Sequence, residues 1–165
     1  MNSNHFDTDD FDLSQYIQGK QIGKGGFGKV FEAINKETRE ICAAKILDRF
    51  DFIQELREVN NLAMTRHASI LLFIGFSSHD FHGDPVPVIV TEYLPNGSLS
   101  DVLTNASKGL AIKGWDATQR LITLYGIAAG MSFLHNNNII HRDLKTENIF
   151  VNEFLFPKIG DFGLS

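Results

Sequence analysis

Cysteine is nearly absent from this chain. Cys42 is the only one in 165 residues, which excludes a disulfide framework and a cysteine-based zinc site. Nothing beside it would stabilise a thiolate, so it reads as a small core residue. There is no basic block either: 15 Lys and Arg stand against 20 Asp and Glu, a net charge of −5. That balance argues against a nucleic-acid partner. No apolar run approaches the ~18 residues of a membrane span, and no basic-then-apolar signal segment opens the chain. The expectation is a cytoplasmic protein without a membrane partner. Asn96-Gly97-Ser98 and Asn105-Ala106-Ser107 match the glycosylation triplet, but no secretory signal gives them weight. Internal repeats and low-complexity segments are also missing.

What is present is an ordinary globular composition, 43% apolar, at a length that can enclose a core. Asp7, Asp9, Asp10 and Asp12 lie together without a neighbouring Lys or Arg. Residues 1–15 therefore read as an acidic, solvated lead-in. From Tyr16 to Leu47 the alternation predicts three strands, turning at Gly23 to Gly28 and at Asn35-Lys36-Glu37-Thr38. Phe52, Leu56, Val59 and Ala63 recur at helical spacing and predict a helix over 50–66. Residues 70–76 and 87–93 are apolar runs of strand length. Pro95-Asn96-Gly97 breaks the chain, and Ser98 can cap a short helix carrying Leu99, Val102 and Leu103. Asp116 and Gln119 resemble a capping box opening a long helix. Its expected apolar face is Leu121, Leu124, Ala128, Met131 and His135, and Asn136-Asn137-Asn138 would end it. The order implies an α+β chain of two lobes, dividing near Leu94-Pro95-Asn96-Gly97.

Three stretches carry chemistry. Gly23, Gly25 and Gly28 form G-x-G-x-x-G. The strand-like Lys29-Val30-Phe31-Glu32-Ala33-Ile34 that follows argues against a dinucleotide fold, where a helix would follow. A glycine hairpin closing over phosphates and a plain structural hairpin both remain. In Ile41-Cys42-Ala43-Ala44-Lys45-Ile46-Leu47, alternation puts Ile41, Ala43 and Lys45 on one face and Cys42, Ala44 and Ile46 on the other. A flat ring could lie on Ala43 while Lys45 reaches its phosphates; an edge-strand surface lysine is the plainer reading. His141, Arg142, Asp143, Lys145 and Asn148 fall within eight positions, between an apolar pair and an apolar strand. A carboxylate, a lysine and a carboxamide so close could handle an anion, a metal and a proton.

The run His141-Arg142-Asp143-Leu144-Lys145-Thr146-Glu147-Asn148, with Asp161-Phe162-Gly163 after it and Ala43-Ala44-Lys45 and the glycine loop before it, resembles the protein kinase family. The resemblance covers residues 16–165 and implies a two-lobed protein-kinase-like fold. The expected organisation is a lead-in over 1–15, a complete β-rich small lobe of five strands and one long helix over 16–94, and an incomplete helical large lobe over 95–165. It further implies ATP and Mg²⁺ as cofactors and the transfer of the γ-phosphoryl group to a protein substrate. Ile22, Gly23, Gly25 and Gly28 would cover the nucleotide, with Val30 and Ala43 sandwiching the adenine. Lys45 would hold the α- and β-phosphates, fixed by a glutamate of the following helix. Helical periodicity favours Glu55 for that glutamate; the family's spacing to His67 and Ile70 favours Glu58, the residue chosen. Thr91 would guard the back of the pocket, the backbones of Glu92 and Leu94 would bond the adenine edge, and Phe150 would lie beneath the ring. Asp143 would accept the hydroxyl proton, Lys145 would steady the phosphoryl group, and Asn148 and Asp161 would hold Mg²⁺.

Lys145 resembles serine/threonine kinases, whereas Thr91 to Leu99 and the helix end at Met131 to His135 resemble tyrosine-kinase-like sequences. The mixture suits the tyrosine-kinase-like group of serine/threonine kinases. Against the family pattern, the activation segment and later helices expected after Asp161-Phe162-Gly163 are missing from these 165 residues. A partner covering the large lobe, and poor activity of the chain alone, are therefore expected. The alternative is a non-catalytic ATP-binding or interaction fragment. His79, Asp80, His82 and Asp84 lack a second cluster and read as a solvated loop. His67 and His135 read as helix-end packing residues.

Overall fold

The computed structural model describes residues 11–25, 28–47 and 66–160. The helix expected over 50–66, with Glu55 and Glu58, lies outside the described residues, as does Asp161. The chain divides into two compact units, Met1–Phe52 with Phe73–Tyr93, and Ile53–Leu72 with Leu94–Ser165.

The first unit is a five-stranded antiparallel sheet in the order β1-β2-β3-β5-β4. Its strands are β1 (Tyr16–Gly25), β2 (Gly28–Asn35), β3 (Ile41–Leu47), β4 (Phe73–Ser77) and β5 (Val88–Glu92). The β2–β3 turn is built by Asn35, whose Oδ1 accepts the amides of Glu37 and Thr38, both at 2.9 Å. Such side-chain mimicry of a turn is why Asn is favoured there. The alternation expected of β3 holds. Ala44 is fully buried with Ala33, Val88 and Val90, and Cys42 and Ile46 pack on the same cluster. Leu13, from ahead of β1, completes that core. Residues 11–15 are thus packed on the sheet, where their charge pattern suggested a solvated lead-in.

The second unit holds α1 (Leu99–Ser107), α2 (Ala117–Asn136) and the hairpin β6 (Ile149–Val151) with β7 (Pro157–Ile159). Both helix starts follow the sequence. Ser98 and Asp101 form a reciprocal capping box, and Asp116 accepts the Gln119 amide at 2.9 Å. These bonds satisfy amides that have no partner inside the helix. At the far end of α2 the chain turns through Asn138 at φ 60°. Leu99, Val102, Trp115, Ile149, Val151 and Leu155 form the core.

The packing face of α2 differs from the one periodicity suggested. Leu121 and Leu124 are 68% and 64% exposed, whereas Thr123, Gly130 and Leu134 are buried. The cause is close approach of backbone. A Cβ on Gly126 would stand 2.6 Å from Pro157 Cγ, and one on Gly130 2.8 Å from Ile159 Cδ1. Two glycines a turn apart let β7 lie directly against the helix, and glycine contributes nothing to an apolar stripe. His135 also lies exposed in the last turn of α2. His67, by contrast, does pack, its ring stacked on Phe133 at 5.0 Å.

Candidate active site

In the first unit, strand register places the chemistry. Val30 pairs with Lys45, Glu32 with Ala43, and Ala43 with Thr91. Directly paired residues of antiparallel strands share a face. Val30, Ala43, Lys45 and Thr91 therefore lie on one face, opposite the Ala44–Val90 core. Cys42 pairs with Glu92 on the core face. Half-burial, and secondarily Glu40, push the Cys42 thiol up, so it is not a thiolate nucleophile.

Gly23 pairs with Val30, and Gly25 with Gly28, at the end of the β1–β2 ribbon. Gly28 sits at φ 137°, and a Cβ there would overlap the Ile46 carbonyl oxygen. Only glycine is at ease on both counts. Ile22 is partly exposed beside it. Glu32 escaped the sequence reading. It is 8% exposed on the Ala43 face and ion-paired with Lys20 at 3.3 Å. The alternation Val30-Phe31-Glu32 was the available signal.

In the second unit, Lys145 and Asn148 of the 141–148 run converge on one carboxylate. Lys145 Nζ donates to Asp143 Oδ2 at 2.6 Å. Asn148 Nδ2 donates to the same oxygen and to the Asp143 carbonyl, each at 2.9 Å. The Lys145 hydrogen bond holds the Asp143 carboxyl below the usual carboxylate range; desolvation opposes it, and the Asn148 hydrogen bond adds a smaller lowering. Asp143 is thereby held in its ionised form and oriented.

The frame of this loop is buried. His141 is 1% exposed, and its Nε2 donates to the Gly160 carbonyl at 2.9 Å. The Gly160 amide in turn donates to the Asn148 carbonyl at 2.9 Å. These two bonds tie the loop to the residue preceding Asp161. Arg142 takes φ 60° within it. Phe150 lies on β6, and its ring edge would stand 3.0 Å from a Cβ on Gly160. The Leu94 carbonyl closes the following turn by accepting the Gly97 amide at 3.3 Å.

The loop of His79, Asp80, His82 and Asp84 is a turn, in which Asp80 Oδ1 accepts the amides of His82 and Asp84. Among the described residues, no group of three or more acidic, His or Cys side chains could hold a metal. Likewise, no helix among them is long and apolar enough to cross a membrane.

The model of the protein kinase domain matches residues 16–165. Among curated proteins, the chain is 38% identical over 158 residues to the probable serine/threonine-protein kinase drkD of Dictyostelium discoideum, a match covering 93% of this chain and 12% of that protein. It is 40% identical over 153 residues to the serine/threonine-protein kinase CTR1 of Arabidopsis thaliana, covering 88% and 18%. With LIM domain kinase 1 of Drosophila melanogaster the identity is 34% over 158 residues, covering 94% and 12%. The chain spans 12% to 38% of the length of seven curated relatives it matches. The chain belongs to the protein kinase family.

Proposed function

We propose that this chain supplies nucleotide-binding and phosphoryl-transfer residues of an ATP-dependent serine/threonine protein kinase of the tyrosine-kinase-like group. The observation that carries the reading is the single carboxylate of Asp143, held by Lys145 at 2.6 Å and by Asn148 at 2.9 Å. Phosphoryl transfer asks the protein mainly for positioning and charge neutralisation. Asp143 would accept the proton of a substrate Ser or Thr hydroxyl. Lys145 would steady the transferring group.

Val30 and Ala43 would take the adenine faces with Phe150, and the backbones of Glu92 and Leu94 its edge, with Thr91 behind. Lys45, paired with Glu58, would take the phosphates under Ile22, Gly23, Gly25 and Gly28. With Asn148 Nδ2 bonded to Asp143, the oxygen end of its amide is the end suited to a cation. Together with the Asp161 carboxylate it would make a hard oxygen donor set that fits Mg²⁺. Bound Mg²⁺ would neutralise charge on the phosphates.

The uncovered Leu121, Leu124 and Tyr125 of α2 favour a second reading of these 165 residues by themselves: a nucleotide binder that needs a further partner on that face to turn over. Calorimetric titration with MgATP and a Ser/Thr peptide phosphorylation assay test both. Binding with transfer that Asp143→Asn abolishes supports the kinase reading. Binding without transfer supports the second. Absence of nucleotide binding overturns both.

A further inference from the structure

Residues 11–15 form a strap across the Ala44–Val90 face of the sheet. The Phe11 amide donates to the Phe76 carbonyl at 2.7 Å, on β4, the edge strand of the sheet. The Phe11 ring lies over Gly75, where a Cβ would stand 2.5 Å from Phe11 Cδ2. That ring also meets Tyr16, centroids 5.1 Å apart. Leu13 is 4% exposed. Asp12 caps the short turn of Leu13–Gln15, and Lys36 of the β2–β3 turn holds the Ser14 carbonyl at 2.7 Å.

Beneath the strap lie Ala33, Ala44, Val88 and Val90, all fully buried. Two of them are alanines, so depth is left that Leu13 fills. A strand is one residue thick: Ala44 lies between Ala43 and Lys45, and Val90 precedes Thr91. The floor of the strap is therefore the back of the proposed nucleotide face. Phe11 and Leu13 are the side chains that pack on the sheet, and Asp12, Ser14 and Gln15 are exposed. A short segment at the edge of a fold can open below the free energy of global unfolding.

We propose that residues 11–15 are a detachable strap whose docking on the Ala44–Val90 face of the sheet sets the nucleotide affinity of the chain, so that lifting it weakens ATP binding. The inference rests on the nucleotide reading above. It predicts that modification or capture of this segment controls the kinase through nucleotide grip.

The test is titration of MgATP into the wild-type chain, Phe11→Ala, Leu13→Ala and Gly75→Val, with amide exchange followed at Lys45 and Thr91. The milder Phe11→Leu and Leu13→Val replace any variant that does not fold. Binding about tenfold weaker in each folded variant, a loss of about 1.4 kcal/mol, is expected, with faster exchange at Lys45 and Thr91. Phe11→Tyr should restore both. Because Phe11 and Gly75 act through one contact, the double variant should lose no more than either single. Wild-type affinity in folded variants would overturn the proposal. Should the wild type bind no nucleotide, the kinase reading fails, and the exchange data decide the strap alone. Faster exchange at Lys45 and Thr91 would support its coupling to that face, and unchanged exchange would overturn it.

Discussion

Asn148 grips Asp143 twice, through the carboxylate and through the backbone carbonyl, each at 2.9 Å. The first bond orients the carboxylate; the second fixes the loop that presents it. The two residues are five apart in sequence, so the orientation comes from a local turn rather than from distant packing.

Removing the acceptor and removing its support should therefore differ. Asp143→Asn loses the proton acceptor, and peptide phosphorylation should fall about 10²–10⁴-fold, the usual worth of a positioned general base. MgATP affinity should change little. Asn148→Ala should also lower transfer, and in addition shift the Mg²⁺ requirement to higher concentration, since that residue is proposed to meet the cation. Steady-state rates across a Mg²⁺ series check both.

The α2–β7 contact gives a stability prediction. Ala is the better helix former than Gly by about 1 kcal/mol, so Gly126→Ala would stabilise an open helix. Here the added Cβ meets the rigid Pro157 ring at 2.6 Å, and overpacking of a tight core costs about 1–3 kcal/mol. A net loss of stability is expected. Thermal melting should show a lowered midpoint, and Gly126→Ala with Pro157→Ala should recover part of it.

The opposite side of α2 carries Leu121, Leu124 and Tyr125 at 68%, 64% and 77% exposure. Contiguous apolar surface of this kind drives association. The 165-residue chain should self-associate at high concentration. Leu121→Glu with Leu124→Lys should reduce that association without lowering the melting midpoint, as measured by light scattering beside a thermal melt. Association unchanged by the pair would place the contact elsewhere.

What the sequence disclosed and what it hid follow from the range of each interaction. The two faces of β3 could be read from alternation, because a strand's side chains alternate whatever lies above it. The caps at Ser98 and Asp116 could be read for the same reason, each being settled within three residues. The buried face of α2 could not. It is selected by the closeness of β7, and Gly126 and Gly130 add nothing to a hydrophobic stripe. At the site, Asp143, Lys145 and Asn148 were legible as neighbours in one short run. The bond from His141 to Gly160 spans 19 residues, and no local pattern announces it. Residues 11–15 were hidden by their charge: Asp12 drew the reading toward solvent, while Phe11 and Leu13 carried the packing.

Asp12 makes the strap sensitive to acid. Hydrogen bonding by the Ser14 side chain, then by Gln15 and the Ser14 amide, holds its carboxyl below the usual carboxylate range, with a minor contribution from Lys36. Those partners belong to the strap's own turn, so the ionised carboxyl favours the formed turn, the shape that docks, at pH above its free value, about 3.9. That contribution is lost as pH falls through the docked value. Among the described residues, Lys36 also touches this segment, at the Ser14 carbonyl. Strap docking should therefore be flat from neutral pH to about pH 5 and weaken below about pH 4. Asp12→Asn should remove this acid step while keeping part of the cap, since Asn also caps well. Amide exchange of Leu13 and Ser14 across that range, in the wild type and in Asp12→Asn, measures it. An identical acid step in both proteins would assign the step to another group.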